Sequence, residues 1–349
     1  MNKIFKRIWN KSRVSFVAVS EVAGMGQARG SRKVGGLKLA LVTVAVTSAL
    51  MFGTPAHAYR YHLPGGTINH GVGAVEGESR LYWDGNINIT ASGTLMTFIC
   101  GHVNSTLPGL VDVSGKLNLG RWNNGGMYYL NGSNQIVIRA GGGVYNGEYN
   151  SVISSLITDT YKNMRYSAAR GWGGLTMSGS AKITNDGEFH NNAYLYIQGG
   201  TFVNNASLLN DKEDGVINLS SGSITGNGLI QNDYTANFTG GSVSAATLSG
   251  NGTANLSGST VKITTASVRT LNVNSGSITI TNLGSTIINN ALNLSVNALT
   301  KKSGVTYTQS AGSLTVRNGD WFAGSTLNIN GGSLNHASLG SNTYNFAYV

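Results

Sequence analysis

Ser242-Val243-Ser244, Thr260-Val261-Lys262-Ile263, Ser277-Ile278-Thr279-Ile280 and Ser313-Leu314-Thr315-Val316 decide the fold of this chain. Each is a short alternation of a β-branched or aliphatic residue with Ser, Thr or Lys, and each follows a glycine turn. The period of two points Ile, Val and Leu to one side and the polar residues to the other, as in a half-buried strand. Working outward, the central turn glycines recur at Gly179, Gly200, Gly222, Gly241, Gly258, Gly276, Gly312 and Gly332, with weaker echoes at Gly93, Gly115 and Gly132. That spacing averages about 19 residues, the mark of a solenoid or propeller-like array. A propeller blade needs about 40 residues for its four antiparallel strands, twice this unit. One unit instead matches one coil of a parallel β-helix, with glycine at corners that need positive φ. Asn185, Asn205, Asn227, Asn232, Asn251 and Asn274 fall at other corners, where stacked amides hydrogen-bond from coil to coil. The expected class is all-β, a right-handed parallel β-helix over 86–349. Residues 59–85, rich in aromatics, are expected to form its N-terminal cap.

Between Gly141 and Gly174 the turns vanish. Val152, Ile153, Leu156, Ile157, Tyr161 and Met164 take helical spacing there, so an insertion at about 141–174 is expected to project from the rod.

Ahead of the repeats lies a leader. A basic N-terminus is followed by Arg29, Arg32, Lys33 and Lys38, then by an apolar run from Leu39 to Phe52. At 14 residues the run is short of the roughly 20 that cross a bilayer as a helix. Pro55-Ala56-His57-Ala58 follows, a small-x-small site for signal peptidase, which places the cut between Ala58 and Tyr59. Residues 1–58 therefore read as a cleaved, helical signal peptide. Within it, Met1-Asn2-Lys3-Ile4, Ile8-Trp9-Asn10 and Phe16-Val17-Ala18-Val19-Ser20-Glu21 resemble the extended signal peptide region of Gram-negative type V secretion proteins, the autotransporters and their relatives. The resemblance implies passage through the secretory translocon, processing by signal peptidase, and a passenger carried to the periplasm. Cell-surface or secreted delivery would follow where a translocator is available. No barrel-like pattern of alternating ten-residue segments occurs, so a separately encoded outer-membrane translocator is the expected partner.

Composition narrows function. The formal charge of +10 suggests nucleic acid, but the leader holds nine of the 24 Lys/Arg and one of the 14 Asp/Glu. The remainder carries 15 basic and 13 acidic residues, a net of +2, and has no basic stripe able to neutralise several phosphates. No nucleic-acid partner is expected. Cys100 stands alone, so no internal disulfide forms, and it reads as a small buried apolar residue.

Glycoside hydrolysis needs two carboxylates about 5 to 10 Å apart. From 216 onward the only acids are Asp233 and Asp320, several coils from one another. Asp186 and Glu188, at i and i+2, share a strand face and form the one geometrically feasible pair, whereas Asp211-Lys212-Glu213-Asp214-Gly215 reads as a solvated loop. His62, His70, His102, His190 and His336 show no metal-ligand spacing, and neither a Gly-x-Ser-x-Gly elbow nor a dinucleotide fingerprint occurs. No catalytic residue, metal or cofactor is expected.

The expected function is an exported passenger that acts in adhesion or bacterial self-association. Its ligand would be a host glycan or an identical passenger, met through a multivalent Ser/Thr/Asn-rich face. Two alternatives stand beside it: a polysaccharide-degrading β-helix enzyme centred on Asp186 and Glu188, and a truncated passenger that lacks its translocator and has no independent function.

Overall fold

The fold is described from a computed structural model. It covers residues 5–10, 15–20, 60–68, 73–77, 80–100, 104–122, 127–147, 174–211, 215–301, 303–318, 324–336 and 343–344. The chain divides into two units, Met1–Pro55 and Ala56–Val349.

In the first unit Phe5–Asn10 and Ser15–Ser20 pair as an antiparallel hairpin, with Ile8 opposite Val17 and Trp9 opposite Phe16. The helix expected for the leader is therefore not what this stretch adopts. Ile8, Trp9, Phe16, Val17 and Val19 are β-branched or aromatic and favour an extended backbone. The apolar run Leu39–Phe52 and the cleavage residues Ala56, Ala58 and Tyr59 lie outside the described residues.

The second unit is an all-β parallel solenoid of about 10 turns with a coil period of about 20 residues. Three ladders of parallel strands run along it. Ladder one begins at Asn104–Thr106, Met127–Leu130 and Gly174–Met177. It continues through the opening residues of Tyr194–Asn204 and Val216–Thr225, then Thr235–Phe238. The closing residues of the two 15-residue strands Ser242–Leu256 and Ser259–Val273 carry it on to Ile287–Asn290, Thr306–Gln309 and Thr326–Ile329. Ladder two includes Leu110–Val113, Gln135–Ile138 and Lys182–Asn185, and ends with Ser313–Asn318 beside Ser333–His336. Ladder three includes Lys116–Trp122, Gly143–Asn146, Glu188–Asn191, Ser207–Asn210 and Leu229–Asn232.

Strand alternation builds the core. Ladder one turns Leu175, Leu195, Ile217, Ala236, Ala254, Leu271, Ile288 and Tyr307 inward in one column, all essentially inaccessible to water. Phe189 and Phe202 meet edge to face at 5.2 Å inside the rod. Each fully buried Leu, Ile or Phe contributes about 1.5–3 kcal/mol of transfer free energy, which supplies the driving force that charge and disulfides do not. All eight turn glycines from Gly179 to Gly332 take positive φ. At Gly222 (φ 80°) the corner also packs tightly, since a Cβ there would sit 2.6 Å from the Gly200 carbonyl oxygen of the preceding coil.

Arg60–Ile68 already lies parallel to Arg80–Ile89, with Tyr61 opposite Leu81 and Leu63 opposite Trp83. Much of the segment expected as the N-terminal cap thus lies in paired parallel strands. Near the other end, Thr343–Tyr344 pairs antiparallel with Ser333–His336 and covers part of that strand's open edge. The ladder runs unbroken through Gly143–Asn146 and resumes at Gly174, so residues 141–146 belong to a coil. The helix expected over Val152–Met164 falls outside the described residues, as do Asp320 and the side chain of Cys100.

Candidate functional site

Two outward features distinguish the solenoid, a charge-free strip on ladder one and a charged cluster on ladder three.

The strip follows from register. Outward positions of ladder one come in two columns, two residues apart on each strand. The first holds Val216, Thr235, Thr253, Thr270, Ile287, Thr306 and Thr326. The second holds Asn218, Asn237, Asn255, Asn272, Asn289, Thr308 and Asn328 at the same rungs. Neither column contains a charged residue. In the second, four amide Nδ2 groups donate to the Oδ1 one coil back: Asn237 to Asn218 at 2.8 Å, Asn255 to Asn237 at 2.7 Å, Asn272 to Asn255 at 2.6 Å and Asn289 to Asn272 at 2.7 Å. These side chains are half-buried by their neighbours, while Thr306, Thr326 and Asn328 are exposed.

Buried corners hold a second kind of amide ladder. Asn146 donates to Asn191, Asn191 to Asn210 and Asn210 to Asn232, each at 2.7 Å. The remaining donor capacity goes to corner carbonyls, including Tyr194 from Asn146 and Thr253 from Asn232. Asn185 donates to Asn204 in the same way at the next corner. Of the corner asparagines expected from sequence, Asn185 and Asn232 thus stand in buried ladders. Asn205 is exposed and donates to Asp186 at 2.8 Å. Asn251 uses its backbone N–H, which donates to Asp233 at 2.8 Å.

On ladder three, Tyr145 and His190 are register partners, and their rings stack at 4.6 Å and 12°. Glu188 Oε2 lies 3.1 Å from His190 Nε2, and Asp211 Oδ2 lies 3.7 Å from Nδ1. Lys116 Nζ sits 6.0 Å above the Tyr145 ring centroid. The imidazole is braced on both edges and one face. Burial raises the Asp211 carboxyl above its ordinary range; His190 pulls it back and Asp233 pushes it up.

The expected Asp186/Glu188 pair is split between partners, Asp186 with the Asn205 amide and Glu188 with His190. Arg139 makes a two-pronged contact with Asp112 nearby, at 2.9 and 2.6 Å, in an exposed setting. Among the described residues no group of three or more His, Cys, Asp and Glu is arranged to hold a metal ion. No helix among them is long and apolar enough to cross a membrane.

Residues 1–50 match the family described as Extended Signal Peptide of Type V secretion system. They contain the whole of the motif Met1, Asn2, Lys3, Ile4, Ile8, Trp9, Asn10, Phe16, Val17, Ala18, Val19, Ser20 and Glu21. No curated protein and no solved structure matches the chain. With secretory export implied by the leader and a parallel ladder beginning at Arg60, the chain is an exported, passenger-like β-solenoid that carries the extended signal peptide of type V secretion at its N-terminus.

Proposed function

We propose that the exported solenoid acts by binding, in adhesion or bacterial self-association, and that the Thr/Asn strip of ladder one is the contact face. The observation that carries this reading is the absence of charge in both columns from Val216 to Asn328, beside an unbroken ladder of five asparagines. A face without charge meets an identical face without repulsion. A second copy also repeats at the same coil spacing, so contacts made at one rung recur at the next. Each contact is weak, and avidity comes from number. A neutral host glycan is met by the same hydroxyls and amides.

The test is display. Cells that export the chain through a supplied outer-membrane barrel should clump or bind glycan-coated surfaces, and cells carrying the barrel alone should not. Dispersed cells with the solenoid demonstrably on their surface would remove the proposal's support.

One observation favours a second reading, a carbohydrate-active enzyme. The Glu188–His190–Asp211 group places an imidazole between two carboxylates beside the aromatic face of Tyr145. Release of reducing ends or unsaturated sugars from a polysaccharide panel, lost on Glu188→Ala, would support it; an inert wild-type chain would end it.

A further inference from the structure

The strip has a property that cell contact does not require, which is rigidity on a fixed lattice. Its first column is β-branched at every rung from Val216 to Thr326, and such side chains have few χ1 choices. Its second column is held by amide-to-amide hydrogen bonds of 2.6–2.8 Å between Asn218 and Asn289. Rungs of a sheet repeat about every 4.8 Å, and alternate residues on a strand stand roughly 6.7 Å apart. The strip is therefore a two-column array of hydroxyls, methyls and amides whose spacing is set by backbone hydrogen bonds.

Water bound to such an array inherits its spacing. In a tetrahedral water network with O···O near 2.75 Å, second-neighbour oxygens are about 4.5 Å apart, within about 0.3 Å of one rung. Waters that bridge threonine hydroxyls on successive rungs would stand near ice-like separations, flanked by the Thr, Val and Ile methyls. Charge would reorient those waters, and here the three faces differ. Alongside the strip, ladder two carries Lys262 and Arg317 outward, whereas ladder one carries no charge from Val216 to Asn328. Ladder three bears Lys116, Glu188 and His190 in earlier coils. Beside the strip it presents Leu229, Gln231, Thr247, Ser249, Thr265 and Ser267, without charge but also without the paired Thr and Asn columns.

We infer that the ladder-one strip is an ice-binding surface, its ordered waters joining the ice lattice along the solenoid axis. This goes beyond adhesion, because the ligand is a periodic solid of neutral water and no second cell or chain is needed.

The test uses protein purified from cells exporting the full chain, at a concentration where sedimentation velocity shows a monomer. It is frozen slowly against a cold surface alongside serum albumin, and the ice and liquid fractions are assayed. Ice recrystallisation in frozen sucrose is followed in parallel. The chain should enrich in ice at least tenfold over albumin and halt recrystallisation. Thr235→Lys with Thr270→Lys, on alternate rungs so that the new charges are not adjacent, should return partitioning to the albumin level. Thr225→Lys on ladder two, opposite the uncharged Val203, should leave it unchanged, and far-UV circular dichroism checks that both variants keep their sheet. Exclusion of the wild-type chain from ice overturns the inference, as does an ice-enriched double variant that retains its sheet. Failure of the display experiment leaves this result untouched, because purified monomer in ice involves no cell contact.

Discussion

Replacing Asn210 by alanine should be among the most damaging single changes in the rod. The Asn210 amide is fully buried. Its Nδ2 reaches the Gly215 carbonyl at 2.7 Å, Asn232 Oδ1 at 2.7 Å and the Thr235 carbonyl at 3.0 Å, and its Oδ1 accepts from Asn191 at 2.7 Å. Truncation leaves one hydrogen of Asn191 and the oxygen of Asn232 facing each other across a gap closed to water. An orphaned buried polar group costs about 1–3 kcal/mol, so two of them imply a loss of about 4 kcal/mol. Asn255→Ala is the matched control. It breaks the same kind of bonds, to Asn237 and from Asn272, at 2.7 and 2.6 Å on the outward strip. Water can reach the stranded partners there, and the cost should be about 0.5–1 kcal/mol. Urea unfolding gives the overall loss. Amide hydrogen exchange around residues 188–238 shows whether the rungs beside Asn210 open first, as expected when neighbouring coils carry most of the stability. Equal costs for the two variants, or a loss below about 1 kcal/mol at Asn210, would refute the argument that buried and exposed amide ladders do different work.

Other outcomes follow from the same structure. Gly222→Ala must place a Cβ 2.6 Å from the Gly200 carbonyl oxygen at positive φ, whereas Gly304→Ala at φ 63° meets nothing within 4 Å. Thermal melts should show a loss of about 1–2 kcal/mol at position 304, from backbone strain alone, and a clearly larger one at 222. Burial raises the Asp211 carboxyl in the folded state, so its contribution to stability is present below the ordinary carboxylate range and lost as pH rises through the folded value. Asp211→Asn should therefore gain stability relative to wild type between pH 3 and pH 7; a difference that is flat or falls with pH would contradict this. Mass spectrometry of exported protein should find Tyr59 at the N-terminus, and Ala58→Lys should leave the leader attached.

Much of the fold is legible because its rules are local. The turn glycines need positive φ and recur at the coil length, so Gly179, Gly200, Gly222 and their successors can be read straight from the sequence. Alternation within Ser313-Leu314-Thr315-Val316 likewise gives the inward Leu314 and Val316. What could not be read depends on register. Asn218, Asn237, Asn255, Asn272 and Asn289 recur at separations of 19, 18, 17 and 17 residues. That signal is lost among the many asparagines of the chain until the coils are stacked. Tyr145 and His190 were hidden by their separation, since register partners elsewhere stand about one coil apart and these two stand 45 residues apart in sequence. The pairing of Arg60–Ile68 with Arg80–Ile89 is likewise a matter of register, one coil apart, which the aromatic composition of 59–85 does not reveal.

The most direct test of the strip as a contact face is oxidative cross-linking between displayed chains. In a Cys100→Ser background, a cysteine replacing Asn255 lies on ladder one and a cysteine replacing Lys262 lies on ladder two. If the uncharged face joins two copies, mild oxidation of clumped cells should yield disulfide-linked dimers from Asn255→Cys and only monomer from Lys262→Cys. Dimers from Lys262→Cys with none from Asn255→Cys would place the contact on another face and contradict the account.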